Sequence, residues 1–383
     1  MIDGALMIDD VLTVEAPQFR CFGYVFKFAG DLELVARLEA VFVDLSATPI
    51  ADPHIWLVEV AQAHARVAID GAEPEPWVVR ELLAASVIST LTLTVIATCP
   101  TSLHLHAGAV VDDGKTILLL APSGSGKSTL TCALVAAGAC YRTDEVVAVE
   151  RDGLNVATFP KPISVKRSGI GVVEQLTGLT YVAGTTGWEI PGSSVGSIAS
   201  DTDHPVTTLV FNSYLASQPV LVVPLHRATA VRHILADSQD VALVGPDSLV
   251  AAAGLARSAR CLEVSGGDAA EVALAILAAH QVEVGPGQVA IVSPSTMDAG
   301  PARSQQVRSI VIDQRALLFT SEPHRLIELD EAQTLWWLLL DGTPFGQTID
   351  EVAGETAQPH ADVAAAGTAC LEVFGALGVL HIP

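Results

Sequence analysis

Thr116-Ile-Leu-Leu-Leu120 runs directly into Ala121-Pro-Ser-Gly-Ser-Gly-Lys-Ser128, and Thr129-Leu-Thr-Cys-Ala-Leu-Val-Ala-Ala137 follows. An apolar strand-like run, a Gly-rich turn and a helical run in that order are the setting of a phosphate-binding loop. The setting is what separates such a loop from a chance match. Gly124 and Gly126 let the backbone turn its N–H groups toward phosphate oxygens, and the start of the helix adds partial positive charge. The candidate nucleotide-binding residues are therefore Ser123, Gly124, Ser125, Gly126, Lys127, Ser128 and Thr129. Lys127 is placed to reach the outer phosphates, and the Ser128 hydroxyl to coordinate Mg²⁺. Ala121 stands where the pattern begins with Gly, a tolerable change at the turn entry. The stretch predicts a domain that binds ATP with Mg²⁺; the alternative is a Gly-rich turn with a purely structural role.

Around that loop the chain has 383 residues, of which 50% are hydrophobic and 16% charged, enough for two domains, one of them large. The net charge of −23 argues against nucleic acid as a partner, because nucleic-acid surfaces are met by basic ones. Only Lys27, Lys115, Lys127, Lys161 and Lys166 are lysines, so each lysine near the loop is more informative than usual. The six cysteines show neither a C-x-x-C pair nor even spacing and read as buried thiols of a cytoplasmic protein. Met1 to Asp10 carries acids where a signal peptide needs bases. Leu82 to Leu103 is free of charge, but Ser86, Ser89, Thr90, Thr92, Thr94 and Thr98 dilute it and Pro100 ends it. A buried helix, with no membrane partner, is the expectation.

Along the chain, strands are expected at Cys21–Phe28, Ile55–Val60 and Ala65–Ile69, with a helix over Leu32–Phe42 and a long one over Pro76–Thr98. Strands at Leu105–Val111 and Thr116–Leu120 lead to the loop and its helix at Gly126–Ala137. Further strands are expected at Glu145–Glu150, Val156–Phe159, Thr207–Phe211 and Val220–Pro224, and helices at Ala228–Ala236, Pro246–Ala259 and Asp268–His280. This predicts a mixed α/β domain over residues 1–283. Gly285-Pro-Gly287, Pro294 and Pro301 mark 284–305 as a linker. Residues 306–383 form a compact α+β unit: strands at Ser309–Ile312, Leu317–Thr320 and Arg325–Glu328, then helices at Glu331–Leu340, Gln347–Gly354 and Pro359–Leu377.

His106 lies before the loop, and Gly138-Ala-Cys-Tyr-Arg-Thr-Asp-Glu145 follows its helix, ending in the adjacent carboxylates Asp144 and Glu145. Phosphoryl transfer uses acids in two ways: to help hold Mg²⁺, and to accept the proton of an attacking hydroxyl. The candidate catalytic residues are Asp144, His106 and Lys127, and the candidate metal ligands are Ser128, Asp144 and Glu145. Other readings stay open. His106 is also readable as a core histidine bound to a backbone carbonyl, and His104 with His106 as an H-x-H pair that lacks a third ligand. Asp144 and Glu145 are also readable as a solvated loop pair, and Lys161 and Lys166 either as phosphate or substrate contacts or as surface lysines.

His106-Ala-Gly-Ala-Val-Val, Pro122–Ser128 and Gly138–Glu145 resemble, in order and spacing, the HPr kinase/phosphorylase family and its kinase relatives. Cys261-Leu-Glu-Val with Asp268 to Ile276 resembles that domain's closing strand and helix. The likeness covers roughly residues 10–283 and is strongest over 104–149. It implies a P-loop kinase domain with the phosphoenolpyruvate-carboxykinase-like mixed sheet, and Asp144 as the base that takes the acceptor's proton. The second acid is Glu145 where the family has Asp. The segment that supports reverse phosphorolysis is matched only faintly, by Arg167-Ser-Gly-Ile-Gly171, so neither a phosphorylase activity nor HPr as substrate is expected.

Leu326-Ile-Glu-Leu-Asp330, Leu335-Trp-Trp-Leu-Leu-Leu-Asp-Gly342, Thr348-Ile-Asp-Glu-Val352 and Val373-Phe-Gly-Ala-Leu-Gly-Val-Leu380 together resemble the PqqD-like family, winged-helix peptide-recognition elements of ribosomal peptide pathways. That resemblance implies a leader peptide added as an extra strand near His324–Leu329, beside the helix at Pro359–Leu377. The alternative is a small dimerisation or lid domain, and a homo-oligomer is left open. Trp336 and Trp337 read as packing residues. The two resemblances together imply a kinase acting on Ser or Thr of a ribosomally made precursor peptide, as HPr-kinase-related enzymes of lasso-peptide pathways do. The alternatives are a small-molecule hydroxyl kinase and a nucleotide-dependent regulatory protein.

Overall fold

The computed structural model describes residues 17–21, 24–98, 102–150, 155–180, 187–200, 204–213, 218–238, 247–295, 300–321 and 324–381. The acidic start at 1–10 lies outside the described residues. The chain is a mixed α/β protein with several sheets and two compact units, Met1–Val223 with Glu263–Val282 and Pro224–Leu262 with Glu283–Pro383.

The first unit opens with β1 (Gln18–Cys21) and β2 (Tyr24–Gly30), an antiparallel hairpin pairing Phe19 with Phe26. One strand was expected over Cys21–Phe28; the structure has two. Helix α1 (Leu32–Val41) begins at Asp31, whose carboxylate accepts from the Leu34 amide at 3.1 Å, and turns Leu34 and Leu38 inward. Strands β3 (Ser46–Ala47), β4 (His54–Ala61), β5 (His64–Ile69) and β6 (Val78–Val79) complete the sheet β3-β1-β2-β4-β5-β6. Phe19, Phe26, Phe28, Phe42 and Trp56 fill its core, with the rings of Phe26 and Trp56 at 5.2 Å. The charge-free stretch forms α2 (Leu83–Thr98), shorter than expected, and buries Val87, Ile88 and Leu91 in that core. Among the described residues no helix is long and apolar enough to cross a membrane.

The strand expected over Leu105–Val111 divides at His106 into β7 (Ser102–Leu105) and β8 (Ala107–Asp112). Strand β9 (Lys115–Leu120) pairs with β8 and feeds the loop, and α3 (Lys127–Ala136) leaves it. Next come β10 (Cys140–Thr143), β11 (Val147–Glu150), β12 (Ile163–Lys166), α4 (Ile170–Thr177), β13 (Gly187–Ile190), β14 (Val206–Ser213) and β15 (Leu221–Pro224). Only an isolated bridge forms where a strand was expected at Val156–Phe159. The chain enters the second unit with α5 (Arg227–Ala236) and α6 (Asp247–Ser258), and returns through β16 (Arg260–Ser265) and α7 (Ala269–His280). The sheet order is β10-β8-β9-β14-β16-β15, with β9 and β14 parallel, and β7 pairs separately with β11.

The second unit differs from the expected division. Residues 284–305 were expected to be a linker, yet β17 (Val289–Val292) within them pairs with β19 (Val307–Ile312). The carbonyls of Gly285 and Gly287 accept from Arg227 Nη2 at 2.7 Å and Arg257 Nε at 3.2 Å, so the Gly/Pro stretch is tied to α5 and α6. After the short β18 (Ala302–Arg303), the sheet β17-β19-β20-β21 is completed by β20 (Arg315–Ser321) and β21 (His324–Glu328). Helices α8 (Glu331–Leu339), α9 (Phe345–Thr356) and α10 (His360–Leu377) pack around Trp337 and Phe374, with β22 (Leu380–His381) closing the chain. Trp337 is fully buried and donates to Ser309 Oγ at 3.2 Å, the packing role expected of it. Side chains alternate along β20: Ala316 and Leu318 join that core, while Leu317 and Phe319 are buried outside it. Contacts of α5 and α6 with β19–β21 account for this second buried face.

Candidate active site

Gly124 and Gly126 hold φ of 89° and 90°, the left-handed region a side chain disfavours, and no atom stands where their Cβ would be. Conformation is thus the reason for glycine here. Gly126 caps α3 without a side-chain bond, which leaves the amides of the first turn for a ligand. The loop is braced from distant strands. Asn212 Nδ2, at the end of β14, donates to the Ser125 carbonyl at 3.1 Å, and Ser125 Oγ donates to the Pro122 carbonyl at 2.6 Å. Lys166 Nζ, exposed at the end of β12, donates to Ser123 Oγ at 3.2 Å. Lys127 is buried, and its ammonium donates to the Ala121 carbonyl.

Asp144 directly follows β10 and is 1% exposed. Its Oδ2 accepts from Ser128 Oγ at 2.8 Å, while its Oδ1 has no hydrogen-bond partner. Burial pushes its carboxyl above the ordinary range, opposed in part by Lys161, the Ser128 bond and Lys127. Glu145 adopts a left-handed φ of 71°, so it is a turn residue and not the start of a strand. Its Oε2 stands 3.2 Å from Lys161 Nζ and its carbonyl 3.1 Å from His106 Nδ1. Burial alone would raise the Glu145 carboxyl; Lys161, through charge and hydrogen bond, and then His106 and Lys127, outweigh it and hold it below its ordinary value. His106 is held low by burial first and then by Lys127. Every residue expected at the site, Ser123 through Thr129 with His106, Asp144 and Glu145, lines one cavity of about 750 Å³ within the first unit. His104, its neighbour on β7, is instead 1% exposed in the strand paired with β11.

Lys161 corrects the surface reading: it is fully buried. Its Nζ also donates to the Pro162 carbonyl at 3.1 Å, and its own carbonyl accepts from Tyr141 Oη at 2.6 Å. A Cβ at Gly192 would lie 2.1 Å from Tyr141 Cδ1, so that glycine is required for the ring that holds Lys161. Two prolines around a lysine in a lysine-poor chain were the available signal. Asn212, Ser164 and Glu189, which also line the cavity, gave none. Replacing Lys161 with Met leaves Glu145 without its cation. A fully buried pair broken this way costs ~3–5 kcal/mol. The Glu145 side chain is 45% exposed, so a smaller loss of about 1–3 kcal/mol is expected. Urea unfolding of the full chain measures it, and an unchanged midpoint would remove the pair from the stability of the site.

No model of a known protein family matches the chain, and no curated protein matches it in sequence. The solved structure of the Hpr(Ser) kinase/phosphatase from Coxiella burnetii is similar over 46% of this chain and 91% of its own, at 14% identity and a TM-score of 0.22. The similarity is partial and low, and the function rests on the site's own chemistry.

Proposed function

We propose that the chain is an ATP- and Mg²⁺-dependent kinase that phosphorylates a hydroxyl, Ser or Thr of a ribosomally made precursor peptide of lasso type, docked through residues 306–383. The observation that carries the chemistry is the Ser128–Asp144 contact of 2.8 Å between the loop's helix and an acid with an unpartnered oxygen. That donor set fits Mg²⁺, which keeps several waters and needs only one or two carboxylates. Ser128, Asp144 and Glu145 are the residues that would hold it. Bound Mg²⁺ supplies neutralisation of charge on the outer phosphates.

The chain's own residues do the rest. The loop amides and Lys127 bind phosphate. Asp144, its carboxyl raised toward the working range of a base, takes the acceptor hydroxyl's proton. The acceptor oxygen forms the new bond to the γ-phosphorus as the bond to the bridging oxygen breaks, and ADP leaves. Glu145, held charged by Lys161, supplies fixed negative charge. In the second unit β21 is an edge strand of its sheet and Arg325 Nη1 donates to the Leu377 carbonyl at 3.4 Å, an arrangement compatible with a peptide added beside α10.

Incubating the full chain with Mg·ATP and a candidate precursor, read by mass for a phosphate adduct, tests the reading. Phosphorylation of a small hydroxylated metabolite instead would identify a small-molecule kinase, and binding without turnover a regulatory protein. Lys127→Ala removes a charged hydrogen bond of about 1.5–3 kcal/mol, so ATP affinity is expected to fall roughly 10–100-fold and turnover to vanish. Normal turnover with a native melting curve would sink the phosphate-loop assignment.

A further inference from the structure

Val289-Ala-Ile-Val292 is β17, an end strand of the sheet β17-β19-β20-β21 within the second unit. Asp313 N donates to the Gln288 carbonyl at 3.1 Å, and Gln288 N donates to Asp313 Oδ1 at 2.9 Å. The main chain of Gln288 is thus turned toward β19. Main-chain groups alternate along a strand, so Ala290 and Val292 turn toward β19 as well, and Val289 and Ile291 aim their N–H and C=O groups outward. Among the described residues no strand pairs with that outer edge. Sheets protect a free edge with charge or proline. The opposite edge does so, since β21 carries His324, Arg325 and Glu328. β17 carries neither, in a chain of net charge −23, and its Ile291 side chain is 69% exposed.

Side chains alternate too. Ala290 pairs with Val311 and Val292 with Ser309, the residue that accepts from Trp337, so both face α8. Val289 and Ile291 face the other side, beside Ile312 and Ile310. Between Ala290 and α8 lies a groove of about 570 Å³, lined also by Glu331, Thr334, Leu335 and Leu338. Leu335, Leu338 and Leu339 form an exposed apolar stripe along α8. Charge divides between the ends of this surface. Glu331 and Asp313 line the groove with Gln288, while Arg303 donates to the Ser293 carbonyl at 3.2 Å and the Leu338 carbonyl at 2.9 Å at the far end.

We propose that β17 pairs antiparallel with β17 of a second copy of this chain, about a two-fold axis at Ala290, to make one continuous sheet. That register sets Val289 against the partner's Ile291 and Ile291 against the partner's Val289, which satisfies the outward N–H and C=O groups of both strands. Ala290, the small residue, lies on the axis and lets the leucine stripes of the two α8 helices meet. The antiparallel direction brings the acidic end of one copy to the Arg303 end of the other, so a second copy complements this surface in charge as well as in shape. The inference goes beyond the kinase reading and does not depend on it.

Sedimentation equilibrium of the full chain tests it. An interface this small is weak, so dimers are expected at about 100 µM protein and monomers at about 1 µM. Ile291→Pro removes one outward donor per copy and leaves the ladder to β19 intact, so a native melting curve is expected with self-association weakened roughly 10–100-fold. Should that variant melt early, Leu335→Glu alters an exposed side chain only, and by setting like charges across the axis it is expected to dissociate the dimer too. Across a pair of this kind Cα atoms lie about 4.5 Å apart, within disulfide reach. Oxidised Ala290→Cys is therefore expected to give a covalent dimer joined at that position, and Val292→Cys none. A chain that is monomeric at about 100 µM overturns the inference. So does a dimer that survives both Ile291→Pro and Leu335→Glu, which would place the contact elsewhere. A monomeric chain that binds an extended peptide, and loses it in Ile291→Pro, would overturn self-pairing and give the edge to a foreign strand.

Discussion

Asp144→Asn is expected to lower kcat by roughly 10²–10⁴-fold, the usual contribution of a general base, with a much smaller change in ATP affinity. The amide preserves the shape that meets Ser128, so the loop should keep its geometry. Stability should move the other way. The folded-state carboxyl of Asp144 lies above its unfolded value, so the native state favours the protonated acid and the group costs stability as pH rises through that interval. Asn carries no such cost, and the variant should melt at or above the native temperature at neutral pH. Single-turnover rates and calorimetric ATP titration with and without Mg²⁺ decide the case. Loss of Mg·ATP binding as the main effect would leave Asp144 with the metal-holding role alone and pass the proton to Glu145.

Deleting residues 306–383 is expected to unfold the second unit rather than release an intact kinase. Helices α5 and α6, which precede the deletion by many residues, contact strands β19–β21, and Thr229 Oγ1 and Arg232 Nε hold Glu328 at 2.8 and 3.3 Å. Val231, Ile234, Leu249 and Leu255 on these helices are buried. Each such side chain uncovered by the cut costs about 1.5–3 kcal/mol. Rapid proteolysis between residues 224 and 262, with a lost melting transition, is the predicted outcome. A truncated chain that resists protease there and melts as the native protein does would show that residues 224–262 fold without the deleted strands. Peptide docking is therefore better probed by point substitutions on β21.

The residues of the loop were legible because their chemistry is local: glycines at set positions, a strand before and a helix after. The same holds for α8, α9 and α10, whose apolar positions recur within single elements. What sequence could not show depends on partners far along the chain. Lys161 is a fully buried lysine only because Tyr141 and Glu145 surround it, and a lone lysine otherwise reads as solvated. The run at 102–112 looked continuous because nothing in it signals a break; the division at His106 follows from β11 pairing with one half and β9 with the other. Gly285 and Gly287 carry the composition of a flexible connector, and two arginines on α5 and α6 fasten them.

The parallel pairing of β9 with β14 bears on how this protein is made. The phosphate loop is complete only when Asn212 reaches Ser125, a closure spanning 87 residues, and Lys166 reaches Ser123 across 43. Closures of that length are entropically costly and slow compared with local helix formation. On a growing chain, the loop sequence emerges long before the strand that braces it, so nucleotide affinity should appear late, after residue 213 has cleared the ribosome. Nucleotide would then act as a selective stabiliser of finished chains, raising their stability by mass action while leaving shorter nascent ones untouched.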